Sequence, residues 1–337
     1  MIRARSKLDA IWPGLLVCGI LALAAQFLAD HYGAPAMLMA LLLGLALHFL
    51  VEDEGRCVAG VDFAAKSVLR IGVALLGARI SFDLLTSLGM STIALIAGSI
   101  VATTAFAYLG AKLLGRGWRL AIITGGAVSI CGASAAMAIA SVLPRNEYSE
   151  RNLTFTVFGV TLLSTVAMVL YPILADLIGL NVTETGIFLG GTIHDVAQVV
   201  GAGFTVSEAA GETATTVKLI RVTFLAPFIL ILVLTLRHRG LLDAEPTERP
   251  PLLPAFIIAF LLLASVNSVG AIPQWLQVQL WSVSKWSLLT AIAAVGIKTE
   301  LRRILQMPSQ AITLILAETA FIAALVVFAI VWIGSAA

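Results

Sequence analysis

Long apolar runs separated by short clusters of Pro, Gly and charge make up most of the chain. A helix needs about 20 mostly apolar residues to cross the hydrocarbon core of a bilayer. By that measure the pattern predicts eleven spans, near 12–29, 35–50, 67–80, 88–111, 120–142, 152–179, 186–204, 215–236, 253–270, 285–297 and 309–333, several of them short. Breaks fall between Asp30 and Pro35, Glu52 and Arg56, Lys112 and Arg119, Pro144 and Arg151, and Arg237 and Pro254. The stretch 237–252 is the one long polar linker. Residues 1–337 read as one membrane domain whose halves would be 1–180 and 181–337. The first run follows Arg3, Arg5 and Lys7 and contains Ala22-Leu23-Ala24, which imitates a secretory signal. It continues through Phe27 and Leu28, so it reads as a first spanning helix.

Orientation follows from Lys and Arg, which accumulate in short cytoplasmic loops. With the N-terminus inside, Arg3, Arg5, Lys7, Arg56, Lys66, Lys112, Arg116, Arg119, Arg237, Arg239, Arg249, Lys298, Arg302 and Arg303 fall on the cytoplasmic side. Arg145 and Arg151 fall in an outer loop, and Arg70, Arg79, Lys218, Arg221 and Lys285 lie within spans or at their edges. Fourteen against two supports eleven spans with the C-terminus outside, or an even number if one Gly-rich segment is re-entrant. Trp275, Trp281 and Trp286 gather at the outer end of a span, as an aromatic belt does. Composition agrees. The 337 residues are 60% apolar and 12% charged, where a soluble domain has roughly 45–50% and about 25%. Mean hydropathy is +1.02. These values exclude a soluble enzyme, a disordered chain and a nucleic-acid binder, and a net charge of +2 adds no preference for a basic or acidic partner. Three distant cysteines, Cys18, Cys57 and Cys131, and four scattered histidines suit neither a disulfide framework nor a metal centre.

Two segments do not read as plain lipid-facing helices. One is Gly125-Gly126-Ala127-Val128-Ser129-Ile130-Cys131-Gly132-Ala133-Ser134-Ala135. The other is Gly190-Gly191-Thr192-Ile193-His194-Asp195-Val196-Ala197-Gln198-Val199-Val200-Gly201. Both open with a Gly pair and then place small or polar groups where a span should be most apolar. Non-helical backbone at membrane depth survives only where protein buries it or water reaches it. A helix broken there exposes N–H groups and a positive dipole end, which together form an anion site. Midplane sites of many secondary transporters are built this way. The competing reading is close helix packing through Gly125-Ser129 and Gly191-Asp195. A fainter signal is that Leu75–Phe82 echoes Ala294–Leu301, each ending a span in Gly-x-basic and running in opposite directions, as an inverted repeat requires. One span separates the Gly-rich segments, so they run parallel unless one is a re-entrant hairpin.

Charges inside spans are costly and point to function or to structural pairing. His194 and Asp195 could carry a proton or bind Na⁺, with Gln198 one turn on; otherwise Asp195 caps a helix beside a buried His194. Lys218 and Arg221 share one helix face. Lys218 could snorkel to the surface. Arg221 suits either bidentate recognition of an oxyanion or a pair with Asp195 or another acid. Glu318 needs a partner, for which Arg70 or Arg79 could serve. Asn267, Ser265 and Ser268 read as polar ligands or as interhelical glue.

The strings Ser129–Ala135 and Gly190–Val199, followed by Lys218-Leu219-Ile220-Arg221, resemble the bacterial sulfate exporter family of inner-membrane proteins, and the resemblance covers nearly the whole chain. That family is grouped with the cation/proton antiporter and anion transporter superfamily. The resemblance implies inverted repeats, broken helices and a core that moves against a panel. It places Ser129, Cys131, Gly132 and Ser134 at one break, His194, Asp195 and Gln198 at the other, and Lys218 and Arg221 nearby. The expectation is an all-α polytopic protein of 10–11 transmembrane helices, not an enzyme, that carries a small inorganic or organic anion such as sulfate. Ser129, Cys131, Gly132, Ser134, Gly191, Gln198, Lys218 and Arg221 would hold the anion. His194 and Asp195 would hold a coupling Na⁺ or proton, with no other cofactor and no metal. The bilayer is its partner, and a homodimer is compatible with the reading. The alternative is a Na⁺/H⁺ exchanger-like cation transporter centred on Asp195. An intramembrane enzyme using Ser134 or Cys131 with His194 lacks a recognisable nucleophile motif, and a passive scaffold or sensor lacks a soluble domain to signal through.

Overall fold

In a computed structural model of the chain, the described residues are 2–80, 82–144, 146–241, 255–300 and 309–336, with only the backbone of 2–9, 52–54, 82–87, 309 and 333–336 described. Arg145, Arg249, Arg302, Arg303 and the linker beyond residue 241 lie outside the described residues, as do the side chains of Arg3, Arg5 and Lys7.

All the described regular structure is helical. Helix α1 covers Ile2–Tyr32 and α2 Ala36–Ala46; α3 (Val58–Phe63) and α4 (Leu69–Leu76) are joined by a π-type turn at Ala64–Val68. Helix α5 (Phe82–Leu113) kinks at Gly89, whose φ of +72° glycine tolerates. Helix α6 (Trp118–Gly126) leads through a π-type turn, Ala127–Cys131, to α7 (Ala133–Val142). The chain continues as α8 (Ser149–Ile178), α9 (Val182–Thr192), α10 (Val196–Val206), α11 (Glu208–Thr223) and α12 (Leu225–His238). It ends with α13 (Ala255–Ser268), α14 (Gln274–Lys298) and α15 (Ser309–Ala336). Among the described residues six helices, within 10–32, 88–113, 149–178, 208–238, 274–298 and 310–332, are long and apolar enough to cross a membrane. Their outward faces carry exposed apolar side chains such as Val101, Leu109, Leu230 and Val331, which lipid covers without cost. The protein is an all-helical, multi-pass membrane protein, and each of the eleven apolar segments forms a helical rod or a pair of helices.

Both Gly-rich segments are hairpins. A continuous helix over 126–139 would separate its ends by about 20 Å. Instead, a Cβ placed on Gly126 would lie 2.2 Å from Ile139 Cδ1. Arg119 Nε, at the start of α6, donates to Pro144 O beyond the end of α7 at 3.1 Å. Helices α6 and α7 therefore enter and leave by the same face, and the chain reverses at Gly132 (φ +57°, ψ −129°). In the second segment, Gly186 of α9 and Gly203 of α10 both pack beside Ala210 O of α11, within 3.1 and 3.3 Å of where a Cβ would sit. Here the reversal uses extended backbone at Ile193 and Asp195 (ψ 136° and 146°) rather than a glycine. The Gly pairs do not make the turns: Gly125 packs on Ala107 and Thr104, and Gly190 on Ala214 and Val217. For those pairs the close-packing reading is the correct one.

Among the described residues nine rods, α1, α2, α3–α4, α5, α8, α11–α12, α13, α14 and α15, run back and forth between two faces. Hairpin α6–α7 opens on the face that bears the N-terminus, and α9–α10 opens on the other. This moves Arg151 out of the outer loop where the sequence reading put it, because the first hairpin returns the chain to the face it left. Arg56, Lys66, Lys112, Arg116, Arg119, Arg151, Arg237, Arg239 and Lys298 then share the N-terminal face. Arg79 sits at the opposite face, paired with Glu208 at 2.8 Å and Glu212 at 2.6 Å and lying over the Trp281 ring. The Gly-x-basic echo has a structural counterpart. At the end of α4, Gly77 packs on Phe260 O of α13, and at the end of α14, Gly296 packs on Leu41 O of α2. Helices α2, α4 and α13, α14 thus cross in matching pairs of opposite direction.

Candidate functional site

The two hairpin tips meet inside the protein, and α11 holds them together. The first arm of each hairpin ends there, leaving carbonyls without helical partners. Two cations satisfy them. Lys218 Nζ donates to Ile130 O at 2.8 Å and to Ile193 O at 2.9 Å, one carbonyl from each tip. Arg221 donates through Nε to Ser129 O, through Nη2 to Val128 O, and through Nη1 to Gly191 O at 2.7 Å. Longer contacts run from Nη1 to Gly190 O at 3.4 Å and Ile193 O at 3.5 Å. Both side chains have 0% exposure. The snorkelling expected of Lys218 is therefore overturned, as is the carboxylate pair considered for Arg221: its planar fork is spent on backbone. A positive charge fits these carbonyls because helix C-termini carry partial negative charge.

Asp195 links the tips from the other side. It occupies the N-cap position of α10 but makes no side-chain cap there. Its Oδ1 accepts instead from Ala133 N, at the start of α7, at 3.3 Å. The second hairpin thus caps a helix of the first. Only glycine fits at position 132, where a Cβ would come within 2.1 Å of Asp195 Oδ1. The Asp195 N–H donates to Ser164 Oγ of α8 at 3.0 Å, and Gln198 Nε2 donates to Thr165 Oγ1 at 3.4 Å. His194 is fully buried, with Nε2 3.0 Å from Thr319 Oγ1 of α15. Thr319 donates its own proton to Ile315 O at 2.7 Å, so the imidazole Nε2–H is the donor of that pair. Ser129 Oγ, His194 Nδ1 and Gln198 Oε1 are buried with no hydrogen-bond partner. Of the three, the Ser129 hydroxyl can donate, whereas Gln198 Oε1 and His194 Nδ1 can only accept; such buried orphans are rare in a native interior.

The tips are not sealed. Ser134 is exposed, and Ala133, Asp195 and Val196 are half-buried. These residues begin α7 and α10, so the accessible side of the junction presents two helix N-termini, while the carbonyl ends and their cations lie behind. Of the residues singled out in the sequence, Ser129, Cys131, Gly132, Gly191, His194, Asp195, Gln198, Lys218 and Arg221 all lie at this junction. Ser134 lies at its open side, and Cys131 is buried there as a small residue. Sequence reading missed Ser164 and Thr165 on α8, Thr319 on α15 and Thr124 on α6. The signal available for α8 was a pair of adjacent polar residues within a long apolar run. Glu318 meets neither Arg70, which is exposed, nor Arg79; its Oε1 lies 2.8 Å from Thr124 Oγ1. Asn267 braces the α4–α5 turn by donating to Ile80 O at 3.2 Å, and Ser265 and Ser268 bond within their own helix. Asn267 thus serves as interhelical glue.

Comparison with known proteins now places the chain. The model of a family described as "Conserved hypothetical protein 698" matches residues 13–315. The chain belongs to this family. Among similar proteins, the UPF0324 membrane protein RB0971 of Rhizobium meliloti (strain 1021) is 61% identical over 97% of this chain and 94% of its own length. The UPF0324 membrane protein TauZ of Paracoccus denitrificans is 59% identical over 97% of this chain and 96% of its own. CT0845 of Chlorobaculum tepidum, also a UPF0324 membrane protein, is 49% identical over 98% and 92%. The family resemblance read from the two Gly-rich strings is met: the relatives are bacterial membrane proteins that align with the chain nearly end to end.

Proposed function

We propose that this family member is a secondary transporter of a small anion, such as sulfate or a related sulfur oxyanion, working by alternating access around the two hairpin tips. The observation that carries the reading is the junction itself. Two helix N-termini face its accessible side, two fully buried cations stand behind them, and the buried Ser129 hydroxyl lacks a partner. Helix N-termini bind anions through free N–H groups and dipole charge. Ser129, Gln198 and the first N–H groups of α7 and α10 would hold the anion, while Lys218 and Arg221 fix the tips and supply positive potential. Asp195 with His194 would hold a coupling Na⁺ or proton, and no other cofactor is invoked. We read the protein as a carrier rather than an enzyme, in a bacterial inner membrane, with the bilayer as its partner and a homodimer compatible with the fold. The basic residues of the N-terminal face support a cytoplasmic N-terminus.

Physics bounds the direction. One elementary charge crossing 100 mV is worth about 2.3 kcal/mol, so a dianion leaving an inside-negative cell gains about 4.6 kcal/mol. Export needs no coupling ion, whereas uptake does. The rival reading, cation exchange at Asp195, is favoured by that carboxylate's place at the tips and weakened by the two cations beside it. Counterflow of radiolabelled sulfate in proteoliposomes, competed with sulfite, thiosulfate, sulfonates, dicarboxylates and chloride, tests the proposal. Accumulation cancelled by particular anions supports it. No accumulation by folded protein, with currents that follow Na⁺ alone, sinks it in favour of the rival.

A further inference from the structure

Behind the hairpin tips lies an acid that the transport reading does not use. Glu318 on α15 has 0% exposure and forms no ion pair among the described residues. Its Oε1 lies 2.8 Å from Thr124 Oγ1 of α6, and its Oε2 is buried without a hydrogen-bond partner. Thr124 Oγ1 is also 3.0 Å from Leu120 O, one turn back. A hydroxyl has one proton to give. If Glu318 were ionised, a buried carboxylate would have that single donor and no cation, an arrangement proteins avoid. If Glu318 holds a proton, its O–H donates to Thr124 Oγ1, Thr124 donates to Leu120 O, and Oε2 is left as a neutral carbonyl. The second arrangement satisfies every donor.

The neighbouring residue makes this position consequential. Thr319 accepts from His194 at the tip of the second hairpin, so consecutive residues of α15 hold one hairpin each. The ionisable groups on the elements packed against α15 include Tyr108 of α5, Arg119 and Cys131 of the first hairpin, Tyr171 of α8, and His194 and Asp195 of the second. None of them forms a hydrogen bond or ion pair with Glu318, and His194 reaches it only through Thr319. We infer that Glu318 is a proton-binding site, loaded in this arrangement, whose release of the proton to one face of the membrane leaves a buried carboxylate with no cation, forces α15 and the first hairpin to rearrange and so couples anion movement to proton movement. This deepens the transporter reading and rests on it for its coupling role.

The test has two arms. Infrared difference spectra of the protein in lipid at neutral pH, wild type against Glu318→Gln, should show the carbonyl stretch of a protonated carboxylic acid in the wild type only. Thr124→Val should shift that band, which keeps the arm decisive if the glutamine variant does not fold. Identical spectra overturn the inference. In proteoliposomes with sulfate as the probe, Glu318→Gln should lose accumulation driven by a pH gradient and retain sulfate–sulfate counterflow. Undiminished pH-driven accumulation in that variant also overturns it. Absence of counterflow in the wild type would fail the transporter reading instead, and the infrared arm would still decide whether Glu318 carries a proton.

Discussion

Replacing Gly132 by alanine is the sharpest probe of how the two tips meet. Two costs can be read from the structure. The first is backbone strain: φ +57° with ψ −129° lies in territory that residues with a Cβ rarely occupy, worth about 1–3 kcal/mol. The second is collision. The new methyl would sit 2.1 Å from Asp195 Oδ1 and 2.7 Å from its Cγ, so the carboxylate must retreat and give up the Ala133 N–H. A hydrogen bond to a charged group contributes about 1.5–3 kcal/mol. Together the two terms reach roughly 2.5–6 kcal/mol, a large part of the stability of an ordinary domain. In an Asp195→Ala background only the strain remains, so the two sites should show a coupling of about 1.5–3 kcal/mol in a double-mutant cycle. Unfolding in lipid or detergent, followed by tryptophan fluorescence for the four combinations, measures it. If Gly132→Ala destabilises equally with Asp195 present and absent, Asp195 does not cap α7 and the tips do not meet as described.

Further expectations follow from the same geometry. Arg221→Met leaves the carbonyls of Val128, Ser129 and Gly191 buried without donors, at about 1–3 kcal/mol each; it should lower thermal stability sharply and abolish sulfate counterflow, and a variant as active as wild type would remove Arg221 from the site. Ser129→Ala deletes a hydroxyl that bonds to no other group, so the melting temperature should hold while the sulfate KM rises about tenfold, the loss of one hydrogen bond to a charged ligand; an unchanged KM takes Ser129 out of the binding set. In a background free of native cysteines, Cys at positions 112 and 147 should react with an impermeant thiol reagent from one side of the membrane, and Cys at 183 and 209 from the other. Labelling of 112 and 147 from opposite sides would mean that the first Gly-rich segment spans rather than turns back.

Much of this was legible in the chain because hydropathy and glycine act locally. Each of the eleven apolar runs has its helical counterpart, and the residues of both Gly-rich strings do come together. The turns were not legible. Gly132 reverses a helix through its positive φ, but Gly125, Gly126, Gly190 and Gly191 look the same in sequence and serve close packing. The second tip turns on Ile193 and Asp195 in extended backbone, which no composition signal marks. Two basic residues in an outer loop were the trace that hairpin topology had left, and the first hairpin removes the conflict for Arg151. Partners across long sequence separations were hidden as well: Glu318 with Thr124, His194 with Thr319, and Asp195 with Ala133 all depend on which rods become neighbours.

The position of Lys218 and Arg221 is what favours an anion over a cation in the function we propose for the junction. A hairpin that turns at membrane depth has two faulty ends: carbonyls at the close of its first arm and N–H groups at the start of its second. Each end carries about half an elementary charge, negative and positive respectively. With two hairpins the carbonyl ends together hold about one negative charge, and the two cations more than cancel it. The N–H ends add about one positive charge, and Asp195 removes one. The junction therefore stays positive by about one charge. Had acids capped the N-termini and water or hydroxyls the carbonyls, the same backbone would attract Na⁺. This chain places both buried cations on the carbonyls and a single carboxylate among the N–H groups. The positive surroundings favour an anion as the transported species, to which the Ser129 hydroxyl and the second Nε2–H of Gln198 can donate, and a coupling cation at Asp195 would bind against that potential.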